Sequence, residues 1–179
     1  PSKWFVKVLF RFHTEMNPED KKFQLAQLRK LSGVCSELKR KLMVELIIQK
    51  DLAQEDALTA KEEELAEAIN EVYKKDIYPY WWGINALDIK EKWVKLNEVI
   101  EGNDPEVYLI LQYNYLQIEK LPAWLSAVRS NTKNFGLYVG QSIFWEPWEK
   151  YINGNFEDAE VISVVSERFQ HLLNLWSDS

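Results

Sequence analysis

The chain contains 179 residues, with 22 Lys and Arg against 28 Asp and Glu, which gives a formal net charge of −6. This length favours a single domain over residues 1–179 that can bury a core without covalent staples. The one cysteine, Cys35, excludes an internal disulfide framework, and no apolar run reaches the roughly 20 residues that a membrane span needs. Because the chain also lacks a signal-peptide pattern, we expect a soluble cytoplasmic protein with no membrane contact.

Charge is unevenly distributed along the chain. Residues 1–50 carry 11 basic and 5 acidic side chains, whereas residues 51–110 carry 6 basic and 15 acidic side chains. A basic segment in an acidic protein can mark a binding site for a polyanion. It can equally be neutralised within the fold by the acidic segment that follows it.

The chain begins with an alternating segment. Residues 3–12 place Trp4, Val6, Val8 and Phe10 on one side and polar or mixed residues on the other, a period of two that predicts a β-strand. A lone strand cannot satisfy its backbone, so a partner strand is required. The segments that could supply it are residues 43–48, 107–113 and 135–144.

A long helix is predicted over residues 18–50. Asn17 and Pro18 form a helix start, and apolar residues then recur at steps of three and four as far as Leu46. A second helix over residues 60–75 follows a short acidic connector at 51–59. We therefore predict an antiparallel helical hairpin.

Residues 77–85 contain Pro79 and Gly83, which exclude a regular helix and predict an aromatic loop. Further helices are predicted for the remainder, while residues 134–156 have no clear pattern. The predicted helices cover residues 86–101, 105–121, 122–133 and 156–176. The segment at 105–121 is apolar on nearly all sides, and a strand at 107–113 is the competing interpretation.

The predicted fold class is mainly α, a single helical domain that opens with a long helical hairpin and carries an N-terminal strand. The alternative is an α+β domain with strands near residues 3–12, 43–48 and 107–113.

Catalytic signatures are missing from the sequence. The two histidines, His13 and His171, belong to no metal-binding or hydrolase motif, and no phosphate-binding glycine loop occurs. The acidic run at 62–64 lies at a predicted helix start, where acids interact with the helix dipole. We therefore expect no metal, no cofactor and no catalytic residue, with an unrecognised carboxylate site as the remaining enzymatic hypothesis.

Two groups of side chains are predicted to bind partners. Aromatic side chains in breaks between helices suit protein interfaces. They are Tyr78, Tyr80, Trp81, Trp82, Trp145 and Trp148. Basic side chains that could track a phosphate backbone are Arg29, Lys30, Lys39, Arg40 and Lys41.

The sequence thus predicts a non-catalytic protein-interaction module, an adaptor or regulatory subunit that acts through a helical hairpin and aromatic loops. The alternative is a nucleic-acid-associated subunit that uses the basic N-terminal third. The isoelectric point near 5.1 argues against a dedicated nucleic-acid-binding domain.

Overall fold

The structure, a computed structural model, describes residues 4–13, 15–48, 62–85, 90–113, 115–132 and 134–178. Its strands are β1 (Phe5–Arg11), β2 (Lys41–Ile47), β3 (Trp81–Asn85), β4 (Tyr108–Tyr113) and β5 (Phe135–Val139). Its helices are α1 (Pro18–Glu37), α2 (Glu62–Tyr73), α3 (Lys90–Asn103), α4 (Leu121–Arg129), α5 (Trp145–Ile152) and α6 (Asp158–Asp178). Short 3-10 segments cover Tyr115–Lys120 and Gln141–Ile143.

The five strands form one parallel sheet in the order β1-β2-β3-β4-β5. This is an α/β fold, so the predicted mainly helical domain is wrong. The α+β alternative placed strands at three positions where strands occur, but it missed β3, β5 and the parallel, helix-connected character of the sheet. Strand neighbours in chain order are typical of consecutive β/α units in a barrel, whereas doubly wound sheets reverse the order.

The helices α1 to α4 pack on one face of this sheet. Parallel strands joined by right-handed crossovers through helices carry those helices on the same side when the strand order never reverses. One buried cluster joins this sheet face to residues such as Leu28 of α1, Ile69 of α2, Leu96 of α3 and Val128 of α4. The buried sheet residues of the cluster are Phe10, Leu42, Val44, Leu46, Trp82, Ile84, Leu109 and Leu111.

The predicted helix over residues 18–50 ends early, at Glu37, and β2 follows within the predicted segment, at Lys41–Ile47. Lys39 adopts a left-handed conformation with φ of 52°. Its amide donates to the Ser36 carbonyl at 3.1 Å, and the Arg40 amide donates to the Cys35 carbonyl at 2.7 Å. These two bonds are the Schellman helix end, which usually uses glycine at the left-handed position. Because a lysine occupies this position, the sequence contains no glycine that would indicate the end of the helix.

The predicted hairpin is therefore absent, because β2 lies between α1 and α2 and pairs with β1. The predicted connector at 51–59 and the first residues of the second helix lie outside the described residues. The basic segment is nonetheless paired in part with acidic residues that follow it in the chain. Lys21 of α1 lies 3.6 Å from Glu67 and 3.4 Å from Glu71 of α2, and Arg29 lies 3.3 Å from Asp76.

Two further segments differ from their predictions. The aromatic loop contains β3, whose amide pairing continues back to Tyr80, where N–H donates to the Leu42 carbonyl at 2.8 Å. The predicted helix over 105–121 is β4 followed by a 3-10 segment. A strand in the middle of a parallel sheet faces other residues on both sides, so its sequence is apolar without alternation and resembles a buried helix.

The sheet is curved away from the helices. In a flat sheet, β1 and β5 would be four strand spacings apart, or roughly 19 Å, and side chains stand roughly perpendicular to the sheet. Yet the Lys7 ammonium on β1 lies 4.8 Å from the centre of the Tyr138 ring on β5. The face opposite the helices is therefore concave, and side chains of the two outer strands meet across it.

The C-terminal helices α5 and α6 form a smaller unit beside β5. Leu172 of α6 belongs to a second buried cluster that includes Leu125 of α4. Arg168 of α6 pairs with Glu146 of α5 and donates to the Ile143 carbonyl at 3.2 Å. Across the described part of the chain, every helix falls short of the length or the apolar character required to cross a bilayer.

Candidate functional site

The concave face is formed by the side chains that alternate with those of the buried core. The strand register assigns to it Phe5, Lys7, Leu9 and Arg11 of β1, Lys41, Met43, Glu45 and Ile47 of β2, Trp81, Gly83 and Asn85 of β3, Tyr108, Ile110 and Gln112 of β4, and Gly136 and Tyr138 of β5. No described helix takes part in a buried cluster with this face. Ligands of parallel sheets bind at the carboxyl ends of the strands, which makes the chemistry at that end informative.

Aromatic residues occupy the amino half of the concave face. Phe5 packs edge-on against Trp81 with ring centres 5.5 Å apart. Trp81 contacts Tyr80 at 4.5 Å, and Tyr80 stacks on Tyr108 at 5.7 Å. This aromatic layer closes the amino end of the concave face.

Polar residues occupy the carboxyl half. Asn85, Gln112 and Tyr138 are register partners on three adjacent strands, and Arg11 is the last residue of β1. The concave face therefore changes from aromatic to polar in the direction in which parallel strands present their ligand sites.

An ion pair lies between these halves. Lys7 of β1 pairs with Glu45 of β2, and the Lys7 ammonium also lies over the Tyr138 ring. The Glu45 side chain is only 14% exposed, while that of Lys7 is 34% exposed. A charged pair with this little solvent is costly to bury, so its presence on a sheet face needs a reason beyond packing.

Gly83 makes room for Glu45. A Cβ atom at Gly83 would lie 2.9 Å from Met43 Cε, 3.2 Å from Glu45 Cα and 3.3 Å from Glu45 Cβ. Gly136, two strands further, faces only Ile110 Cδ1 at 3.3 Å. Gly83 is the register partner of Glu45, and Gly136 is the register partner of Ile110 in the same line across the sheet. The two glycines therefore leave a hollow beside Glu45, next to the polar side chains at the carboxyl end.

Two buried polar atoms near this end have no hydrogen-bond partner among the described residues. One is Nε2 of Gln112, and the other is Nδ1 of His13, which follows β1. Buried amide and imidazole groups normally have hydrogen-bond partners, so both atoms are available to form hydrogen bonds with a bound molecule. Within the described ranges, no three His, Cys, Asp or Glu side chains are grouped as metal ligands.

The aromatic residues predicted at 78–82 are divided among three environments. Trp82 lies in the core at 0% exposure, where its Nε1 donates to the Tyr73 hydroxyl at 2.9 Å. Trp81 is half-buried on the concave face. Tyr78 and Tyr80, at 55% and 41% exposure, lie at the amino ends of the strands.

The basic residues predicted to bind a polyanion also meet at that edge. Arg29, Lys39, Arg40 and Lys41 line one groove together with Tyr78 and Tyr80, with a volume of about 730 Å³. Lys30 is not among the residues that line this groove. The structure therefore brings together most of the basic set and two members of the aromatic set.

Trp145 and Trp148, also predicted to bind a partner, lie on α5 and are not among the residues that line this groove. They are 47% and 45% exposed. Trp148 and Tyr151 line a shallow cavity of about 270 Å³ with Ile162 of α6.

Sequence reasoning missed the polar residues of the concave face. They are Lys7, Glu45, Asn85, Gln112 and Tyr138. The available signal was a single polar residue at alternate positions inside otherwise apolar segments, such as Glu45 in the run Met-Val-Glu-Leu-Ile-Ile at 43–48. That signal is readable only when the segment is assigned to a strand.

Comparison with known proteins identifies the family to which the chain belongs. No curated protein matches the chain. One family model matches residues 1–179, and its description reads "uncharacterized protein conserved in bacteria". The chain thus belongs to this bacterial family, DUF2090.

Proposed function

We propose that the carboxyl half of the concave face is a small-molecule site, and that Lys7 and Glu45, next to Tyr138, perform proton transfer on a substrate that contains a carbonyl group. The observation that carries the proposal is the Lys7–Glu45 ion pair beneath Tyr138 on a curved parallel sheet. A carbonyl oxygen accepts hydrogen bonds from an ammonium group, and a nearby carboxylate can accept a proton from the adjacent carbon.

The roles follow from the chemistry of each group. The Lys7 ammonium stabilises the negative charge that develops on the carbonyl oxygen when the neighbouring C–H bond breaks. Glu45 takes that proton and returns it in the reverse step. The Gln112 amide and the Arg11 guanidinium, further toward the carboxyl end, bind the polar remainder of the substrate.

A screen of small carboxylates and carbonyl compounds by thermal shift tests the site. A true ligand should raise the melting temperature of the unmodified protein, because a ligand that binds only the folded state stabilises it. Lys7→Met should abolish the shift. Lys95→Met is the matched control, because Lys95 forms an exposed pair with Glu63 at 3.0 Å.

Proton transfer is then tested on the compound that binds. Exchange of its α-protons in deuterium oxide, followed by proton NMR, should exceed the buffer rate with the unmodified protein. Glu45→Gln should lose the exchange while it retains binding. Exchange that is equal with and without protein, or unchanged in Glu45→Gln, would contradict the catalytic part of the proposal.

A protein contact is the second candidate function, and a specific observation favours it. Trp148, Tyr151, Ile152 and Ile162 leave large apolar surfaces exposed on α5 and α6, at 45%, 38%, 60% and 66%. Exposed aromatic groups of this kind are frequent anchors of protein interfaces. If the surface binds a protein, Trp148→Ala should remove that partner from an affinity purification while the Lys7-dependent ligand shift persists.

A further inference from the structure

The groove at the amino ends of the strands, called here the amino-edge groove, is separate from the proposed small-molecule site. Its basic wall consists of Arg29, Lys39, Arg40 and Lys41, and Tyr78 and Tyr80 lie beside this wall. A volume of about 730 Å³ is in the range of ligand pockets. The aromatic layer of Trp81, Tyr80 and Tyr108 separates this groove from the polar end of the concave face.

Local structure orients the basic wall. Lys39 is held in the left-handed conformation by the hydrogen bonds that end α1. The Lys41 ammonium lies 3.7 Å from the centre of the Tyr80 ring and 5.1 Å from that of Trp81. Arg29 is paired with Asp76 at 3.3 Å, so Lys39 and Lys41 are the cations of the groove on which we expect the binding of a ligand to depend most.

The aromatic part of the groove offers a stacking surface. Tyr80 has Lys41 over its ring and Tyr108 stacked at 5.7 Å. Tyr78 is 55% exposed, and its ring contacts Tyr73 at 5.5 Å with a tilt of 44°. The Tyr78 ring therefore retains surface on which a flat ligand ring can stack.

The third chemical feature of the groove is acidic. Asp104 and Glu106, between α3 and β4, are among the residues that line the groove. The Asp104 Oδ1 atom accepts a hydrogen bond from the Glu106 amide at 3.3 Å, which fixes the turn. Carboxylates accept hydrogen bonds from exocyclic amino groups such as those of nucleobases.

We infer that the amino-edge groove binds a phosphorylated nucleoside whose base carries an exocyclic amino group. The phosphate lies against Lys39, Arg40 and Lys41, the base stacks on Tyr78, and its amino group faces the Asp104–Glu106 wall. A free nucleotide and the end of a single-stranded nucleic acid share this chemistry. The ligand is distinct from the substrate proposed for the concave face.

Calorimetric titration at low ionic strength with AMP, adenosine, ribose 5-phosphate and a short oligoadenylate tests the inference. AMP should bind more tightly than adenosine or ribose 5-phosphate, because only AMP presents both phosphate and base. Binding of the oligoadenylate in competition with AMP identifies a nucleic-acid end as the ligand, and binding of AMP alone identifies a free nucleotide.

Three variants locate the site. Tyr78→Leu should weaken AMP binding about tenfold, the usual effect of losing one stacking contact. Lys39→Asn removes the charge but tolerates the left-handed backbone, and should weaken binding about fivefold. Lys74→Gln is the control, since Lys74 pairs with Glu71 at 3.0 Å on α2, and should leave AMP binding unchanged.

Specific results would overturn the inference. One is an absence of AMP and oligoadenylate binding by the unmodified protein. Another is equal affinity for AMP, adenosine and ribose 5-phosphate. A third is AMP binding that Tyr78→Leu and Lys39→Asn leave unchanged. Binding of AMP by Lys7→Met at the unmodified affinity would support a site separate from the concave face.

Discussion

The two faces of the sheet are built from alternate residues of the same five strands, yet they differ in chemistry. The face covered by helices contains only apolar side chains in its buried cluster, and Trp82 and Leu109 within it are at most 1% exposed. The concave face mixes aromatic residues, two glycines, an ion pair and a polar row. Trp81 and Trp82, adjacent in the chain, belong to opposite faces.

Along each strand, residues on the covered face therefore determine stability, and the alternate residues on the concave face determine binding. Burial of apolar area on the covered face supplies the free energy of folding, so residues there are replaced at high cost. The concave face contributes less to that free energy and can accommodate groups chosen for a ligand. Variants at adjacent positions on one strand should therefore have opposite consequences for stability and for binding.

Trp82→Ala should produce the largest loss of stability. Removal of a buried tryptophan costs about 3–5 kcal/mol, and here it also leaves the buried Tyr73 hydroxyl without its 2.9 Å donor. Trp81→Ala, on the concave face, should cost about 1 kcal/mol, because Trp81 is half-buried. Urea denaturation of the two variants measures the difference.

Equal losses in the two variants would contradict the separation of the faces. Trp82→Phe is a useful companion, since it keeps most of the buried volume and removes only the indole N–H. It should retain more stability than Trp82→Ala.

Gly83→Ala should be the next largest effect. The added methyl group would lie 2.9 Å from Met43 Cε and 3.2 Å from Glu45 Cα, and overpacking of this kind costs about 1–3 kcal/mol. Displacement of Glu45 should also reduce ligand binding on the concave face. Gly136→Ala is the matched control on the same face, because its methyl group meets only the flexible Ile110 side chain. A Gly83→Ala protein with unchanged stability and ligand binding would show that the close approach is not required.

The Lys7–Glu45 pair should show a coupling free energy of about 1 kcal/mol in a double-mutant cycle of Lys7→Met and Glu45→Gln. Lys7→Met alone leaves the 14%-exposed Glu45 carboxylate without its cation, so it should destabilise more than the double variant does. The midpoints of urea unfolding at pH 7 provide the four free energies. A coupling of zero would show that the two groups are solvated independently.

The strand β2 shows why the fold class was predicted wrongly. Its buried residues Leu42 and Leu46 continue the spacing of α1 by steps of four, which fit one face of a helix and one face of a strand equally. The left-handed residue that ends α1 is Lys39 rather than glycine, so no local signal divided the segment. The predicted N-terminal strand was correct, because β1 lies at the sheet edge and alternates clearly.

The candidate site could not be predicted for a related reason. Glu45 lies 38 positions after Lys7, and Tyr138 lies 93 positions after Glu45, so the three residues meet only because the sheet is parallel and curved. The amino-edge groove was closer to prediction, since its basic and aromatic residues were both selected from sequence. The basic and the aromatic residues meet in one groove because β2 and β3 are neighbouring strands, which was not predicted from the sequence.

The smallest expected effect concerns an ion pair on the helical side of the sheet. The hydrogen bond from Lys74 lowers the pKa of Glu71, and Lys21 contributes in the same direction. Because the pKa in the folded state lies below the value of the unfolded chain, the stabilisation is present above the unfolded pKa and is lost as the pH falls through the folded value. Glu71→Gln should therefore destabilise the protein at pH 7, by less than about 1 kcal/mol, because its main partner, the Lys74 side chain, is 60% exposed.

The same substitution should lose its effect once the pH has fallen below the folded-state pKa of Glu71, which itself lies below the ordinary glutamate value of 4.5. Urea unfolding of the unmodified protein and Glu71→Gln at pH 7 and near pH 3 measures this loss. Glu98→Gln, on the exposed side of α3, controls for the removal of one negative charge. A difference between Glu71→Gln and the unmodified protein that is as large near pH 3 as at pH 7 would contradict the ion-pair explanation. In that case packing of the Glu71 side chain between α1 and α2 would be the source of the stability, as it is for the neighbouring apolar residues of the covered face.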